Sequence, residues 1–457
     1  MIPRIVVAGT GSGVGKTTVA CGLIGALRAA GRRVQAFKVG PDYIDPSYHR
    51  LASGRPGRNL DAFLSGSDLI APLFRHGSAG ADIAVIEGVM GMFDGVSGRG
   101  ELASTAHIAK LLRAPVLLVI DGTAMARSAA AVVHGFRSFD PAVEIAGVVL
   151  NRVGSAIHEQ LLREAIESLG VIVLGALRRS ELLAAPERHL GLVPAGERER
   201  RAAAALDQLA ALVARQVDVA AVQRLAAAAP ALPGPAWSPS QAAPEGPSDG
   251  VAGIGIAIAG GPAFSFHYEE NLELLTAAGA RLLAFDPTVD TALPAGVGAL
   301  VLAGGFPEIY GAELSANRPL RGEVAAFAAA GRPVLAECGG LLYLAERLDG
   351  HEMCGVLPAR VRMSSHLTLG YREARTANPT AWLAPDTPVR GHEFHYSRVE
   401  PAAGAVPAWE LSAHGATRAE GFVWGGVQAS YLHVHWAAWP GLAHRFVAAA
   451  AGMAVRG

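Results

Sequence analysis

A glycine-rich segment near the start of the chain has the residue types and spacing that bind a polyphosphate. Residues 9–17 read Gly-Thr-Gly-Ser-Gly-Val-Gly-Lys-Thr and directly follow the apolar residues 4–8. A strand, a glycine-rich turn and a helix start in this order place backbone N–H groups around phosphate oxygens. Lys16 is then expected to reach the terminal phosphates, and the Thr17 hydroxyl to bind Mg²⁺. The predicted ATP-binding residues are Gly9, Thr10, Gly11, Ser12, Gly13, Val14, Gly15, Lys16, Thr17 and Thr18.

Charged residues also follow the next apolar run, residues 34–39. Lys38 lies within this run, and Asp42 and Asp45 come shortly after it. In an open parallel sheet, ligands bind at the carboxyl ends of the strands. We therefore expect these three side chains to lie at a ligand-binding edge.

A further acidic segment follows residues 82–87. Glu87 ends this run, and glycines flank it on the loop that comes next. Glu87 is expected to bind Mg²⁺ together with Thr17, or to hold the water shell of the ion. An acid taken alone is more often a solvated loop residue or a helix cap. Three such features, each at the end of a predicted strand, favour a shared site.

The second half of the chain contains a candidate nucleophile. Cys338 stands between the apolar residues 333–335 and the helical pattern of residues 341–348, with two glycines directly after it. A cysteine on a sharp strand-to-helix turn is exposed and lies near a helix N-terminus that favours the thiolate. His433 is the candidate base, although fifteen histidines leave the pairing open on spacing alone. The predicted oxyanion donors are Gly304, Gly305 and Gly339.

These residues require two α/β domains to position them. Continuous apolar runs at 34–39, 82–87, 115–121, 145–151 and 171–177 predict a parallel sheet that is buried on both faces. Runs at 253–259, 281–285, 299–303 and 333–338 predict a second sheet. The predicted domains are a P-loop domain over residues 1–228, a Pro- and Ala-rich linker over 229–250, and a second domain over 251–457.

Composition excludes several classes of protein. The 457 residues include 39 basic and 40 acidic side chains, a balance that predicts no nucleic-acid partner and no polybasic membrane anchor. The longest nearly uncharged apolar stretch, residues 251–264, is too short to span a bilayer. The first residues enter a strand without a leader pattern, so a cytoplasmic location is expected. Three cysteines do not make a disulfide framework or a paired metal site.

The glycine-rich segment departs from the standard P-loop motif at one position. The first glycine of that motif is expected where Thr10 stands, and Gly9 makes the loop one residue longer. This spacing resembles the P-loop of dethiobiotin synthetases, which activate a carboxylate-type substrate. Partition or septum-site ATPases share the P-loop, but they need a second lysine where this chain has Gly11.

The order of motifs along nearly the whole chain resembles the cobyrinate a,c-diamide synthase family. The resemblance implies an N-terminal ATPase domain similar to dethiobiotin synthetase and a C-terminal glutamine amidotransferase domain of the class I type. The motifs that carry it are residues 9–17, 38–46, 87–95, Cys338, 391–397 and 431–436.

The resemblance also implies a reaction. Cys338, aided by His433, would release ammonia from L-glutamine. ATP would phosphorylate the a- and c-acetate carboxylates of a corrin ring, cobyrinate or hydrogenobyrinate, in cobalamin biosynthesis. Ammonia delivered through the interior would then displace phosphate. The residues that fall on family motifs for substrate handling, activation or Mg²⁺ are Asp42, Tyr43, Glu87 and Asp94.

The chain departs from the usual amidotransferase pattern, and alternative functions stay open. The usual His-x-Glu ending of the amidotransferase triad is His433-Val434-His435 here, which predicts a Cys–His dyad. His392, Glu393 and His395 lack the spacing of a zinc motif, so a structural or substrate-facing role is expected. Cobyric acid synthase, a non-catalytic glutamine sensor and a partition-type ATPase are the alternatives. The metal content of the ring, the order of amidation and the oligomeric state, for which a homodimer is one option, stay open.

Overall fold

The chain forms two compact units. The structure, a computed structural model, describes residues 2–179, 195–242, 253–413 and 415–452. Packing divides the chain into Met1–Trp237 and Ser238–Gly457. Among the helices in these ranges, none combines the length and the apolar character needed to cross a membrane.

A parallel sheet of seven strands forms the centre of the N-terminal unit. The strands are β1 (Arg4–Gly9), β2 (Val34–Val39), β3 (Arg58–Leu60), β4 (Ile83–Glu87), β5 (Val116–Asp121), β6 (Ile145–Val153) and β7 (Val173–Arg178). Their order is β3-β2-β4-β1-β5-β6-β7, and all neighbours run parallel. The predicted parallel sheet is confirmed. Only β3, which is short and polar, had no apolar run to reveal it.

Helices connect these strands. They are α1 (Lys16–Ala29), α2 (Ile44–Ser53), α3 (Ser67–Gly77), α4 (Thr105–Leu112), α5 (Ser128–Phe139), α6 (Ala156–Glu167), α7 (Ala195–Gln216) and α8 (Val219–Ala228). α1 begins at the end of the glycine-rich segment, and α2 begins shortly after β2. Both helices therefore start at the carboxyl edge of the sheet, where the predicted site residues lie.

Part of the predicted linker packs against the N-terminal unit. Arg75 donates hydrogen bonds to the carbonyls of Leu232, Gly234 and Pro235, and Trp237 is buried. The division between the units, after residue 237, falls inside the predicted linker. Residues 243–252 lie outside the described residues, so the bounds 229–250 stay a prediction.

The C-terminal unit contains two sheets. Its strands are β8 (Ile254–Ala259), β9 (Ala280–Phe285), β10 (Val297–Leu302), β11 (Val334–Glu337), β12 (Arg347–Leu348), β13 (His351–Glu352), β14 (Arg360–Thr376), β15 (Pro388–Glu400), β16 (Trp409–Ala413), β17 (Ala416–Glu420), β18 (Phe422–Trp424), β19 (Val427–Ser430) and β20 (His433–Val434). The first sheet has the order β18-β19-β11-β10-β8-β9 and is parallel except for the β18–β19 pair. The predicted second sheet is confirmed.

The other sheet was not predicted. It runs β13-β12-β14-β15-β20, with β16 and β17 attached through β14. β14 and β15 are long and alternate between buried and exposed residues, so neither contains a continuous apolar run. A search for fully buried strands therefore passes over them.

Helices connect many of the strands of the C-terminal unit. They are α9 (Pro239–Ala242), α10 (Glu269–Ala277), α11 (Gly311–Ala316), α12 (Arg318–Ala329), α13 (Gly339–Leu344) and α14 (Gly441–Ala450), with 3₁₀ turns at Pro307–Tyr310 and Trp436–Ala438. The prediction of helix over 341–348 is wrong at its end, because α13 stops at Leu344. Arg347 and Leu348 pair with β13 and β14 instead, and this pairing overrides the local apolar pattern.

Candidate functional site

The glycine-rich turn has a fixed shape. Gly15 caps α1 with a φ of 96°, a conformation that favours glycine. A Cβ atom on Gly15 would also lie 2.0 Å from Nδ2 of Asn151. Asn151 donates to the carbonyl of Val14 at 2.9 Å, and Lys16 donates to the carbonyl of Gly11 at 2.9 Å. Side chains on both sides therefore hold the loop that leads into α1.

A buried ionic cluster lies beside this turn. The Thr17 hydroxyl donates to Oε1 of Glu87 at 2.5 Å. Nζ of Lys38 lies 2.9 Å from the same oxygen and 2.6 Å from Oδ2 of Asp45. Nε2 of His49 lies 2.6 Å from Oε2 of Glu87, and both of these side chains are fully buried. The structure thus brings together four of the predicted residues from α1, β2, α2 and β4.

His49 was missed by the sequence analysis. It stands four residues after Asp45 on α2, so both side chains lie on the same face of that helix. This spacing was the available signal. Because His49 contacts the oxygen of Glu87 that Thr17 and Lys38 leave open, it completes the carboxylate's set of partners.

Two carboxyl groups, of Glu87 and Asp45, contact the buried ammonium group of Lys38. Burial alone lowers the pKa of Lys38, but Glu87 and Asp45 raise it well above its usual value. Burial alone raises the pKa of Glu87, but Lys38 and the His49 hydrogen bond hold it below its usual range. Burial and the neighbouring Glu87 raise the pKa of Asp45 well above its usual value. A further cation at this place would therefore be stabilised.

The remaining predicted residues shape the backbone around the cluster. Asp42 accepts from the amide of Ile44 at 2.7 Å and thereby starts α2, next to the buried Tyr43. Asp94 accepts from the amide of Gly91 at 2.8 Å and closes the loop after β4. These carboxylates act electrostatically on Lys38 and Lys16, one on each lysine. They stand close enough to the cluster for a substrate role, which stays a prediction.

Cys338 occupies a strained turn in the other unit. It has a φ of 45° and a ψ of −97° between β11 and α13, a conformation that non-glycine residues rarely adopt. Its amide donates to the carbonyl of Ser430 at 2.7 Å, and its Sγ lies 3.8 Å from the carbonyl oxygen of Phe394. Strain of this kind at a strand-to-helix turn is typical of a nucleophile elbow.

His433 and the predicted oxyanion glycines lie around this turn. His433 pairs with His392 across the β15–β20 ladder. A Cβ atom on Gly304 would lie 2.5 Å from Cε1 of His433, and one on Gly339 would lie 3.0 Å from the amide nitrogen of Gly305. The structure therefore brings the predicted base and all three glycines together around the turn that carries Cys338. Their catalytic roles stay predictions.

The protonation state of the Cys338 thiol differs from the one that the sequence predicted. A helix N-terminus was expected to favour the thiolate, yet burial and the neighbouring Glu308 raise the pKa of the Cys338 thiol well above its usual value. The hydrogen bond from Gly339 acts in the opposite direction and does not outweigh them. α13 has only six residues, so its dipole is small. The resting thiol is protonated and requires a base.

A second buried ionic cluster was missed. Both oxygens of Glu393 contact guanidinium groups, Oε2 with Arg372 and Oε1 with Arg418, each at 2.5 Å. Burial opposes ionisation of Glu393, but His395, whose Nε2 lies 3.8 Å from Oε1, and the hydrogen bond from Arg418 hold its pKa at about 2. Two guanidinium groups for one carboxylate leave a net positive charge. Arg372 lies on β14 and Arg418 on β17, while Glu393 lies on β15, the strand whose Phe394 carbonyl faces Cys338. The charge would attract an anionic substrate group.

Comparisons with known proteins identify the family. A CobB/CobQ-like glutamine amidotransferase domain matches residues 255–440, and a CobQ/CobB/MinD/ParA nucleotide binding domain matches residues 5–193. Hydrogenobyrinate a,c-diamide synthase from Streptomyces coelicolor is 54% identical, over 98% of this chain and 97% of the relative. The chain belongs to the a,c-diamide synthase family. The enzyme of the same name from Mycobacterium tuberculosis is 52% identical, over 98% of each chain. Cobyrinate a,c-diamide synthase from Syntrophotalea carbinolica is 46% identical, over 97% of this chain and 98% of the relative.

Membership in the a,c-diamide synthase family confirms several predictions. The fold is a nucleotide-binding α/β unit followed by a glutamine amidotransferase unit. The protein is an amide-forming ligase, and its two domains use ATP and glutamine. These matches favour the a,c-diamide synthase over both a partition-type ATPase and cobyric acid synthase.

The affinity of this a,c-diamide synthase for nucleotide should fall as the pH rises from 7 to 9. Burial and the nearby Lys38 lower the pKa of Lys16 to about 8. Phosphate groups favour the charged lysine, so binding above this pH requires proton uptake and weakens by up to about tenfold per pH unit. Calorimetric titration with a non-hydrolysable ATP analogue at several pH values measures the effect.

Lys16→Arg, which stays charged, is the control and should flatten the dependence of nucleotide affinity on pH. An equally steep curve in this variant would assign the effect to another group.

Proposed function

We propose that the protein amidates the a- and c-acetate carboxylates of hydrogenobyrinate or cobyrinate, with ATP as the activating substrate and glutamine or ammonia as the nitrogen source. The observation that carries the proposal is the presence in one chain of two distinct sites. The cluster of Lys16, Thr17 and Glu87 suits phosphate transfer, and the elbow of Cys338 with His433 suits amide cleavage. Relatives named as a,c-diamide synthases match this chain along almost their full length.

The glutamine half of the reaction takes place at Cys338. The proton of the thiol moves to His433, and the sulfur attacks the carbon of the glutamine side-chain amide. Backbone amides in the turns at Gly305 and Gly339 stabilise the oxyanion. The C–N bond then breaks, and ammonia leaves with the proton from His433. Water hydrolyses the remaining thioester to glutamate and restores the thiol. The positive charge near Arg372 and Arg418 suits the α-carboxylate of the amino acid.

The synthetic half of the reaction takes place at the cluster around Glu87. A carboxylate is a poor electrophile because oxide or hydroxide would have to leave. An oxygen of the acetate carboxylate attacks the γ-phosphorus of ATP, which releases ADP and forms an acyl phosphate. Ammonia attacks the acyl carbon, and phosphate leaves. Lys16 and the amides of the glycine-rich turn hold the phosphates and balance the charge that develops on them.

The residues of this cluster fit Mg²⁺. The described residues contain no group of three His, Cys, Asp or Glu side chains arranged to hold a metal by themselves. Magnesium in phosphate-transfer sites usually takes one or two protein oxygens and completes its shell with phosphate and water. Thr17, Asp45 and Glu87 would supply such oxygens, and a divalent cation beside Asp45 would favour the ionised carboxylate against the burial and the Glu87 charge that raise its pKa. When bound, Mg²⁺ would neutralise the transferring phosphate oxygens.

We infer that the ring is hydrogenobyrinate. The relatives with 49 to 54% identity carry that name, whereas those with 43 to 46% identity are named for cobyrinate. A cytoplasmic location, where ATP and glutamine are plentiful, belongs to the same proposal.

Mass spectrometry of the product tests this function. The purified protein is incubated with ATP and glutamine, and with either hydrogenobyrinate or cobyrinate. We expect two carboxyl-to-amide exchanges on hydrogenobyrinate, formation of ADP, and a slower reaction on the cobalt-containing ring. Absence of amide product with both rings and both nitrogen sources would refute the proposal. Faster amidation of cobyrinate would refute only the choice of ring.

A further inference from the structure

In this protein, the residue two positions after the catalytic histidine does not orient that histidine. Glutamine amidotransferases commonly carry a glutamate two residues after that histidine, and this chain has His435 there. Nε2 of His435 lies 3.4 Å from Oε2 of Glu270, and its ring lies 4.7 Å from the ring of Tyr268. His435 is therefore packed against α10 and does not supply a carboxylate to His433.

A carboxylate reaches His433 from a different strand. Oε2 of Glu337 lies 3.6 Å from Nδ1 of His433, whose side chain is fully buried. The other oxygen, Oε1, accepts a hydrogen bond of 3.4 Å from the amide of Val434, the residue next to this histidine. Glu337 is the last residue of β11 and directly precedes Cys338. A single strand end thus supplies both the nucleophile and a carboxylate for its base.

We propose that Glu337 is the positioning residue of His433, in place of the carboxylate that other amidotransferases carry two residues after the histidine. The proposal rests on the glutamine hydrolysis assigned above to Cys338 and His433. Glu337 faces Nδ1 and so leaves Nε2 to take the thiol proton, the same division of nitrogens as in a Ser-His-Asp triad. A distance of 3.6 Å is that of an ion pair without a short hydrogen bond. Glu337 therefore acts mainly when His433 becomes charged, at the moment when the thiol is deprotonated.

The neighbouring titratable groups do not take over this role. His392 faces His433 from β15, but burial and His433 itself lower the pKa of His392 to about 3, so it stays neutral. His267 lies near Glu337, and burial lowers its pKa below the usual value. On the side of the thiol, Glu308 and Glu393 act on Cys338. Glu337 is thus the carboxylate that the structure places at Nδ1.

Glu337→Gln tests the proposal because it removes the charge and keeps the shape. We expect kcat of glutamine hydrolysis to fall by about 10- to 100-fold, with KM for glutamine changed by less than about twofold. Synthesis from ammonium should not change, since the other unit carries it out.

Two further variants separate positioning from folding. Glu270→Gln removes the charge of a similar buried partner of His435 and should leave kcat of glutamine hydrolysis within about twofold of the wild type. Glu337→Asp keeps the charge on a shorter side chain, so it should restore part of the kcat that Glu337→Gln loses. If Glu337→Gln does not unfold cooperatively on heating, it is not properly folded, and the test then uses Glu337→Asp in its place. A kcat of glutamine hydrolysis in Glu337→Gln equal to that of the wild type would overturn the proposal. Failure of the wild type to hydrolyse glutamine would instead refute the proposed function.

Discussion

Replacing Cys338 by Ala should abolish synthesis from glutamine and leave synthesis from ammonium at the wild-type rate. The thiol forms the bond to glutamine, and a methyl group has no atom that can replace it. We expect the glutamine-dependent rate to fall by at least about 1,000-fold, and the ammonium-dependent rate to change by less than about twofold. Both rates are measured as amide product on the same ring substrate with ATP. The difference arises because only the source of nitrogen is lost.

Cys354→Ala is the matched control for this experiment. Cys354 is a second thiol of the same unit, largely buried beside Tyr343, and burial raises its pKa to about 12. It lies on a loop without an elbow, so its removal should leave both rates unchanged. If Cys338→Ala lost both activities while its thermal unfolding matched that of the wild type, the division of labour between the two units would be wrong.

Much of the nucleotide site follows from the sequence because each of its parts is local. Gly15, Lys16 and Thr17 are adjacent in the chain, and Asp45 and Glu87 stand at or just after the ends of buried parallel strands. The carboxyl ends of parallel strands lie at one edge of the sheet, so knowing where the strands end is enough to predict that these residues lie close together. The predicted residues indeed meet within hydrogen-bonding distance in the structure.

The contacts that were missed depend on strand register. Arg372 reaches Glu393 because β14 and β15 pair with Tyr371 opposite His392. Arg418 joins them only through β16 and β17, which attach to β14. Glu337 reaches His433 because β20 lies beside β15 and close to the end of β11. A shift of one residue in any ladder would send these side chains to the opposite face. Composition and periodicity of one sequence do not fix such pairings.

Burial favours the protonated form of the acidic group at both sites, but the charged partners give the two sites opposite outcomes. At the elbow, burial and nearby carboxylates keep the Cys338 thiol protonated, so the nucleophile is active only when a base takes its proton. At the nucleotide site, burial also opposes ionisation of Glu87, but Lys38, His49 and Thr17 outweigh it and keep the carboxylate charged. A protonated resting thiol limits oxidation and side reactions of the cysteine, whereas a permanently charged carboxylate keeps the phosphate site ready for a cation.

Glu87→Gln should remove synthesis with glutamine and with ammonium alike. Gln is nearly the same size as Glu and can still accept from Thr17 and Lys38 through its one oxygen. Its NH₂ group must then face His49, and the negative charge that holds the cluster is lost. Without that charge, the Mg²⁺ ion proposed beside Thr17, or its water shell, would no longer be held. We expect both synthetic rates to fall by at least about 100-fold, measured as amide product and as ADP.

The structure supplies the controls that separate this catalytic loss from a folding defect. Lys38 keeps its contact with Asp45 at 2.6 Å, so the variant does not leave that ammonium group buried alone and should still fold. Asp82→Asn changes a more exposed carboxylate just before the opposite end of the same strand, where it pairs with Arg33, and should alter neither rate. Hydrolysis of glutamine at Cys338 should persist in both variants. An undiminished synthetic rate in Glu87→Gln would show that the charge of Glu87 has no part in the chemistry, and that the cluster serves only to join β4 to α1 and α2.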